Sequence, residues 1–136
     1  MLMRFLKESL SKYDDPIKLY KALPKMVYHA TLQEALPNIF KNKLKDAWIG
    51  QDINECIEYV KMNHDCDYED IVVLEIPKKL LDVNKCDFTV DAGDGWSDEW
   101  SGTFIYNGSI DIMSLDSYWL DEDKWYYIKD IQHILK

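Results

Sequence analysis

The clearest secondary-structure signal in this chain is a short apolar segment near its middle. Residues 70–77 read Asp-Ile-Val-Val-Leu-Glu-Ile-Pro. Their β-branched side chains favour a strand, and the proline is typical of a strand end. A strand that is apolar at successive positions has both of its faces covered by other elements. We therefore expect this strand in the centre of a sheet.

The rest of the first half of the chain alternates between helical and strand patterns. Apolar residues spaced three or four apart predict helices, and runs of β-branched and aromatic residues predict strands. The predicted elements are a helix over 1–13, a helical turn over Ile17–Leu23, a strand over Lys25–Ala30 and a short strand over Ala47–Ile49.

Two further helix starts are marked by capping boxes, in which a Thr or Asp is followed three residues later by Glu. Thr31-Leu32-Gln33-Glu34 predicts a helix that runs to about Asn42 and is shortened or bent at Pro37. Asp52-Ile53-Asn54-Glu55 predicts a second helix. The buried face of this second helix is expected to consist of Ile53, Cys56, Ile57 and Val60.

The last third of the chain is dominated by strand patterns. We predict strands over Asp87–Val90 and Thr103–Tyr106, with a Gly- and Asp-rich loop over 91–100 between them. Asn107-Gly108 is a common turn signal, and residues 124–136 fit a strand or a helix. These elements predict one α+β domain over residues 1–136, with a mixed or antiparallel sheet. A helical segment over 1–23 is expected to pack on that sheet.

The net charge of −9 is concentrated in one part of the sequence. Residues 86–123 contain ten acidic residues and no lysine or arginine. Generic nucleic-acid binding is not expected, because it needs a basic surface. The acidic block is consistent with a solvated face, with a surface for a basic protein partner or acceptor, or with mimicry of a nucleic acid.

Other sequence features bear on the compartment and on metals. The three cysteines are few and odd in number, which favours reduced thiols over disulfides. No apolar run is long enough to cross a membrane, and the charged N-terminus does not resemble a signal peptide. We therefore expect a cytoplasmic protein that does not bind membranes. The spacing of His and Cys fits no common metal-binding pattern, so no metal site is expected.

Three groups of residues are candidates for a binding site. His29 ends a strand just before a predicted helix start, where an imidazole could bond to a ligand hydroxyl or simply to the backbone. Trp48 ends the next strand, and Tyr59 follows eleven residues later on a helix. These two rings could form a slot for a flat heteroaromatic ring, or they could be core residues. Tyr106 precedes the Asn107-Gly108 turn signal.

Taken in order, these motifs resemble the ADP-ribosyltransferase-like fold. The resemblance is closest to the histidine-type branch, which includes poly(ADP-ribose) polymerases, diphtheria-like toxins and DNA-modifying toxins. In that branch a His-Gly-Ser/Thr motif ends the first strand, and His29-Ala30-Thr31 matches it with Ala in place of Gly. Two tyrosines eleven residues apart follow, and Trp48 and Tyr59 match their spacing. The resemblance covers about residues 25–110.

The resemblance implies that NAD is the substrate and assigns roles in holding it. His29 would hold the 2′-hydroxyl of the nicotinamide ribose, and the backbone of Ala30 would bond to the carboxamide. Trp48 and Tyr59 would sandwich the nicotinamide ring, with Cys56 close to the carboxamide. The full set of expected NAD-binding residues is His29, Ala30, Thr31, Trp48, Cys56, Tyr59 and Tyr106.

The catalytic glutamate of this family has no direct counterpart in the sequence. It would fall near Gly108, and Asp111 is the nearest acidic residue. We therefore expect His29 and Asp111 as catalytic residues, with Asp98 or Glu99 as alternative acids. The implied function is NAD-dependent ADP-ribosyl transfer to a protein or nucleic-acid acceptor, in the manner of a toxin or effector. The alternative is a non-catalytic acidic binding or inhibitor protein that retains the fold.

Overall fold

In a computed structural model, which describes residues 10–64, 70–90 and 98–136, the chain forms an α+β domain with one seven-stranded antiparallel sheet. The strands lie side by side in the order β4-β5-β2-β1-β3-β6-β7. Their bounds are β1 Met26–Leu32, β2 Leu44–Gly50, β3 Ile71–Pro77, β4 Cys86–Asp87, β5 Thr103–Ile110, β6 Asp116–Trp119 and β7 Lys124–Tyr127.

Four α-helices accompany the sheet in the described part of the chain. They are α1 Pro16–Ala22, α2 Leu36–Asn42, α3 Ile53–His64 and α4 Gln132–Leu135. The Asp52 side chain accepts hydrogen bonds from the backbone N–H groups of Asn54 (2.8 Å) and Glu55 (3.4 Å), so the helix start predicted at Asp52 is confirmed. The helix that follows buries Cys56, Ile57 and Val60, as predicted, whereas Ile53 is only partly buried against the same cluster.

The sheet separates two apolar clusters because side chains alternate between the faces of each strand. The larger cluster contains Leu74 and Phe104 together with residues of α1, α2 and α4. The smaller cluster lies under α3 and contains Ala30 and Val73. Both clusters draw on β3, whose residues Ile71–Leu74 are all fully buried. The prediction that this segment is an inner strand of the sheet is confirmed.

Several sequence predictions differ from the structure. Of the helix predicted over 1–13, residues 1–9 lie outside the described residues, and Ser11 forms an isolated β-bridge with Glu99. The prediction that Thr31 caps a helix is wrong, because β1 continues through Leu32 and no side chain caps the 3₁₀ turn that follows. The turn predicted at Asn107-Gly108 is also wrong, because both residues continue β5.

Two predicted boundaries also changed in the last third. The strand expected over Asp87–Val90 is reduced to β4, and residues 91–97 of the loop expected over 91–100 lie outside the described residues. Residues 124–136 form both predicted alternatives in succession. The segment begins as β7, passes through a 3₁₀ turn at Ile128–Ile131 and ends in α4.

The neighbouring strands β1 and β2 pair through their backbones at one place only. Tyr28 and Gly50 are their single Cα pair, whereas β1 and β3 pair along seven residues. At this joint the Sγ of Cys56 lies 3.5 Å from the carbonyl oxygen of Tyr28. A Cβ on Gly50 would lie only 2.9 Å from the same sulfur. The absence of a side chain at Gly50 therefore lets α3 approach both strands.

We expect Gly50→Ala to destabilise the protein, because the added methyl group collides with a fully buried sulfur. Overpacking of this kind costs roughly 1–3 kcal/mol. The free energy of unfolding can be measured by urea denaturation. The matched control is the same change in a Cys56→Ala background, where the methyl group has room and the cost should be smaller. An equal cost in both backgrounds would show that the contact does not matter.

Candidate aromatic groove

A groove of about 440 Å³ lies between α3 and the beginning of β5, above the end of β2. Its lining is aromatic at the centre and polar at the edges. The lining residues are Trp48, Asn54, Glu55, Glu58, Tyr59, Met62, Ser101 and Thr103. A largely apolar concavity with a few polar groups is the usual form of a small-molecule site.

Trp48 and Tyr59 are brought together in this groove. Their ring centroids are 4.1 Å apart and their planes differ by 17°, so the rings stack directly on each other. No ligand ring can lie between them while they remain in this contact. The Nε1 of Trp48 is buried and has no hydrogen-bond partner among the described residues. Unpaired buried donors are uncommon and cost free energy.

Two carboxylates from α3 reach the same groove and were not among the residues predicted for the site. Glu55 and Glu58 line it beside Tyr59 and Met62. Residues three, four and seven apart share one face of a helix, so this spacing could have revealed them. Lys61 approaches Glu58 at 3.9 Å, which is a weak, solvent-exposed ion pair. No lysine or arginine is among the described residues that line the groove, so these residues give it a negative charge.

β5 contributes hydroxyl groups to the groove. Ser101, just before the strand, and Thr103 at its start have side-chain oxygens 2.7 Å apart. The family resemblance places the catalytic glutamate at Gly108. A Cβ added there would lie 2.8 Å from the ring of Tyr106 and 2.9 Å from the side chain of Lys85, so the position has little room for a side chain. The residue of β5 that faces the groove is therefore Thr103.

The structure does not bring Asp111 to the groove. Trp48, which lines the groove, pairs with Ile105 of β5. The chain runs away from the groove after Ile105, and Asp111 follows six residues later. That separation corresponds to about 20 Å along a strand. The Asp111 side chain accepts a hydrogen bond from the backbone N–H of Met113 (3.0 Å) and caps a 3₁₀ turn. Asp98 and Glu99 are exposed and are not part of the groove lining either.

His29 is connected to the groove through the backbone of β2. Its Nδ1 lies 2.8 Å from the carbonyl oxygen of Trp48. A carbonyl only accepts hydrogen bonds, so Nδ1 carries the proton and Nε2 of the neutral ring is an acceptor. Burial lowers the pKa of His29, although the hydrogen bond to the carbonyl partly opposes this effect. The alternation of β1 directs Val27 and His29 away from α3.

The remaining predicted residues take structural positions. Ala30 is buried beside Val73, and Thr31 is half-buried in β1. Cys56 is fully buried, and burial raises the pKa of its thiol to about 12, so it is unreactive. The hydroxyl of Tyr106 accepts a hydrogen bond from the backbone N–H of Asp82 (3.1 Å) in the larger core.

Metal-ligand clusters and membrane-spanning helices are both absent from the described residues. No group of three or more His, Cys, Asp or Glu residues within 10–64, 70–90 and 98–136 is placed to hold a metal ion. Cys66 lies outside the described residues. No helix in the same ranges is long and apolar enough to span a membrane.

Comparison with known proteins gives no assignment. No family model, no curated protein and no solved structure matches this chain.

We expect His29 to make the protein less stable as the pH falls below neutral. The pKa of the folded-state imidazole is lowered, so the unfolded chain binds a proton more readily. The free energy of unfolding therefore falls as the pH decreases from about 6.5 towards the folded-state pKa. In His29→Asn, the amide can still donate to the carbonyl but does not titrate. Its melting temperature should vary less between about pH 7 and pH 5 than that of the wild type.

The control for this experiment is His133→Asn, because His133 is exposed near the C-terminus. That variant should keep the pH dependence of the wild type. If His29→Asn also kept it, the interpretation of His29 as a buried neutral imidazole would be contradicted.

Proposed function

We propose that this protein binds NAD through its nicotinamide ring in the aromatic groove and transfers ADP-ribose to an acceptor. The observation that carries the proposal is the pairing of Trp48 and Tyr59 in a groove where every charged lining group among the described residues is a carboxylate. The resemblance noted in the sequence also supports it. The three strands that carry its motifs, β1, β2 and β5, are neighbours in the sheet.

The charge of the groove suits the nicotinamide end of NAD. The pyridinium ring is a flat cation, and aromatic faces attract cations. Glu55 and Glu58 add negative charge at the same place. The cation is lost when nicotinamide leaves, because the product is neutral. The groove would therefore favour the substrate over this product.

Ring binding requires the aromatic pair to open. In the closed stack the N–H of Trp48 has no partner, so moving the indole breaks no hydrogen bond of that group. Once displaced, this donor can bond to water or to the ligand, which offsets part of the lost stacking. A nicotinamide ring between Trp48 and Tyr59 would then replace one stacked contact with two.

The reaction proposed is cleavage of the bond between the nicotinamide nitrogen and C1′ of the ribose. Nicotinamide leaves with the electron pair of that bond, and a cation-like ribose remains. An acceptor oxygen or nitrogen then bonds to C1′ and loses a proton to solvent. The carboxylates of Glu55 and Glu58 would stabilise the positive charge that develops on the sugar. His29, whose side chain is directed away from α3, would act only by holding the carbonyl of Trp48.

We expect NAD to raise the melting temperature of the wild-type protein. A ligand at a hundred times its dissociation constant stabilises the folded state by about 2.7 kcal/mol. Trp48→Ala and Tyr59→Ala should each abolish the shift, because each removes one wall of the ring site. Trp125→Ala, which removes an exposed tryptophan on β7, is the matched control and should keep it. No shift of the wild type at millimolar NAD would contradict the proposal.

We expect Glu58→Gln to slow nicotinamide release from NAD. A group that stabilises developing charge typically contributes about 10²–10³ in rate, and the amide retains the shape without the charge. Release can be followed by chromatography with and without added acceptor proteins. Glu34→Gln, at an exposed glutamate outside the groove, is the control. Equal rates for both variants would remove Glu58 from the mechanism.

A second candidate function is a non-catalytic binding protein that retains the fold. One observation favours it. The residue that β5 contributes to the groove is Thr103 and not a catalytic carboxylate, and Asp111 lies far from the groove. Such a protein would act by binding a basic partner through its acidic surface. A thermal shift with NAD, together with no nicotinamide release by the wild type, would favour this candidate.

A further inference from the structure

β7 is an edge strand of the sheet. One side of β7 pairs with β6, and its outer side pairs with no other described strand. Ile128 N–H donates to the carbonyl of Leu115 (2.9 Å), which fixes the hydrogen-bonding pattern of the ladder. Bonded and non-bonded pairs alternate along antiparallel strands. Tyr126 therefore bonds towards β6, whereas Trp125 and Tyr127 direct their backbone N–H and C=O groups outward.

The same two residues expose aromatic side chains. Trp125 is 43% exposed and Tyr127 is 39% exposed, although large aromatic side chains are usually covered. The ring of Trp125 contacts the ring of Tyr118 at 5.3 Å, so it is held on the strand surface. Tyr127 lines a cavity of about 280 Å³ with Asp111 and Lys129. Side chains of an added strand would meet these rings across the edge.

Carboxylates surround this edge. Residues 111–130 contain six acidic residues and two lysines, a net charge of −4, and all six acidic residues are exposed. Three of them, Asp121–Asp123, form the β6–β7 turn. Lys124 lies over the ring of Tyr126, 5.2 Å from its centroid, on the strand itself. Lysine or proline commonly protects an edge strand against pairing with another chain. β7 carries one lysine, and the acidic residues around it outnumber the lysines.

We propose that the edge of β7 binds an extended, lysine- or arginine-rich segment of another protein as an eighth strand. The outward backbone groups of Trp125 and Tyr127 would pair with the segment, and the carboxylates would select its charge. Main-chain bonds supply affinity and side chains supply specificity in this mode of recognition. The site is separate from the aromatic groove, so the proposal holds whether or not the groove binds NAD.

The proposal can be tested with a labelled peptide of alternating Lys and Val, measured by fluorescence anisotropy. The peptide should bind the wild-type protein, and binding should weaken with added salt. An analogue of alternating Glu and Val should not bind. A Lys-Val peptide with every second amide N-methylated should bind about tenfold more weakly, because it cannot complete the ladder. Failure of the Lys-Val peptide to bind, or equal binding of the Glu-Val peptide, would overturn the proposal.

Matched variants locate the site. Tyr127→Pro removes an outward N–H without removing a bond to β6, and prolines are tolerated at such edge positions. It should weaken peptide binding about tenfold relative to Tyr127→Val, which keeps the N–H and also lacks the aromatic ring. Circular dichroism checks that both variants fold. Equal peptide binding by the two variants would overturn the proposal. A wild-type dimer in sedimentation that Tyr127→Pro dissociates would also overturn it, because a second copy of the chain would then occupy the edge.

Discussion

The contact of α3 with the joint between β1 and β2 holds the candidate site together. Gly50 has no side chain, so the sulfur of Cys56 can lie against both strands at their only Cα pair. This close approach places Tyr59, one turn farther along α3, on the ring of Trp48 at the end of β2. The carboxylates of the groove lie on the same helix, so one packing contact positions both the aromatic and the charged parts of the site.

The weak joint between β1 and β2 gives His29 its role. Where a continuous ladder would supply backbone bonds, the imidazole donates to the carbonyl of Trp48 instead. Burial lowers the pKa of a histidine in this place and so favours its neutral form. The same bond orients the residue that carries the indole. The stability of the joint and the geometry of the groove are therefore coupled through one hydrogen bond.

Local patterns predicted much of the fold. The inner strand β3, the helix after Asp52 and the pairing of Trp48 with Tyr59 follow from apolar runs and spacing within one or two elements. Two predictions that depended on how far a strand extends were wrong. Thr31 has the pattern of a helix cap, but pairing with β3 extends the strand past it. Asn107-Gly108 has the pattern of a turn, but β5 continues through it alongside β2 towards Leu44.

The site could be predicted only in part for the same reason. Trp48 and Tyr59 were identified because their spacing is local, whereas Thr103 reaches the groove through pairing of its strand with Gly50. Asp111 is close in sequence to Gly108, but an extended strand places residues that are near in sequence far apart in space. Glu55 and Glu58 were overlooked although their spacing on α3 places them on the face of Tyr59.

The central claim is that the Trp48–Tyr59 stack opens to receive a nicotinamide ring. Nuclear Overhauser effects between the two side chains, measured by NMR with and without NAD, test it most directly. We expect the indole–phenol contacts to weaken at saturating NAD, and the nicotinamide ring protons to show contacts to both side chains. Undiminished contacts between Trp48 and Tyr59 at saturating NAD, with none to the ligand, would contradict the account.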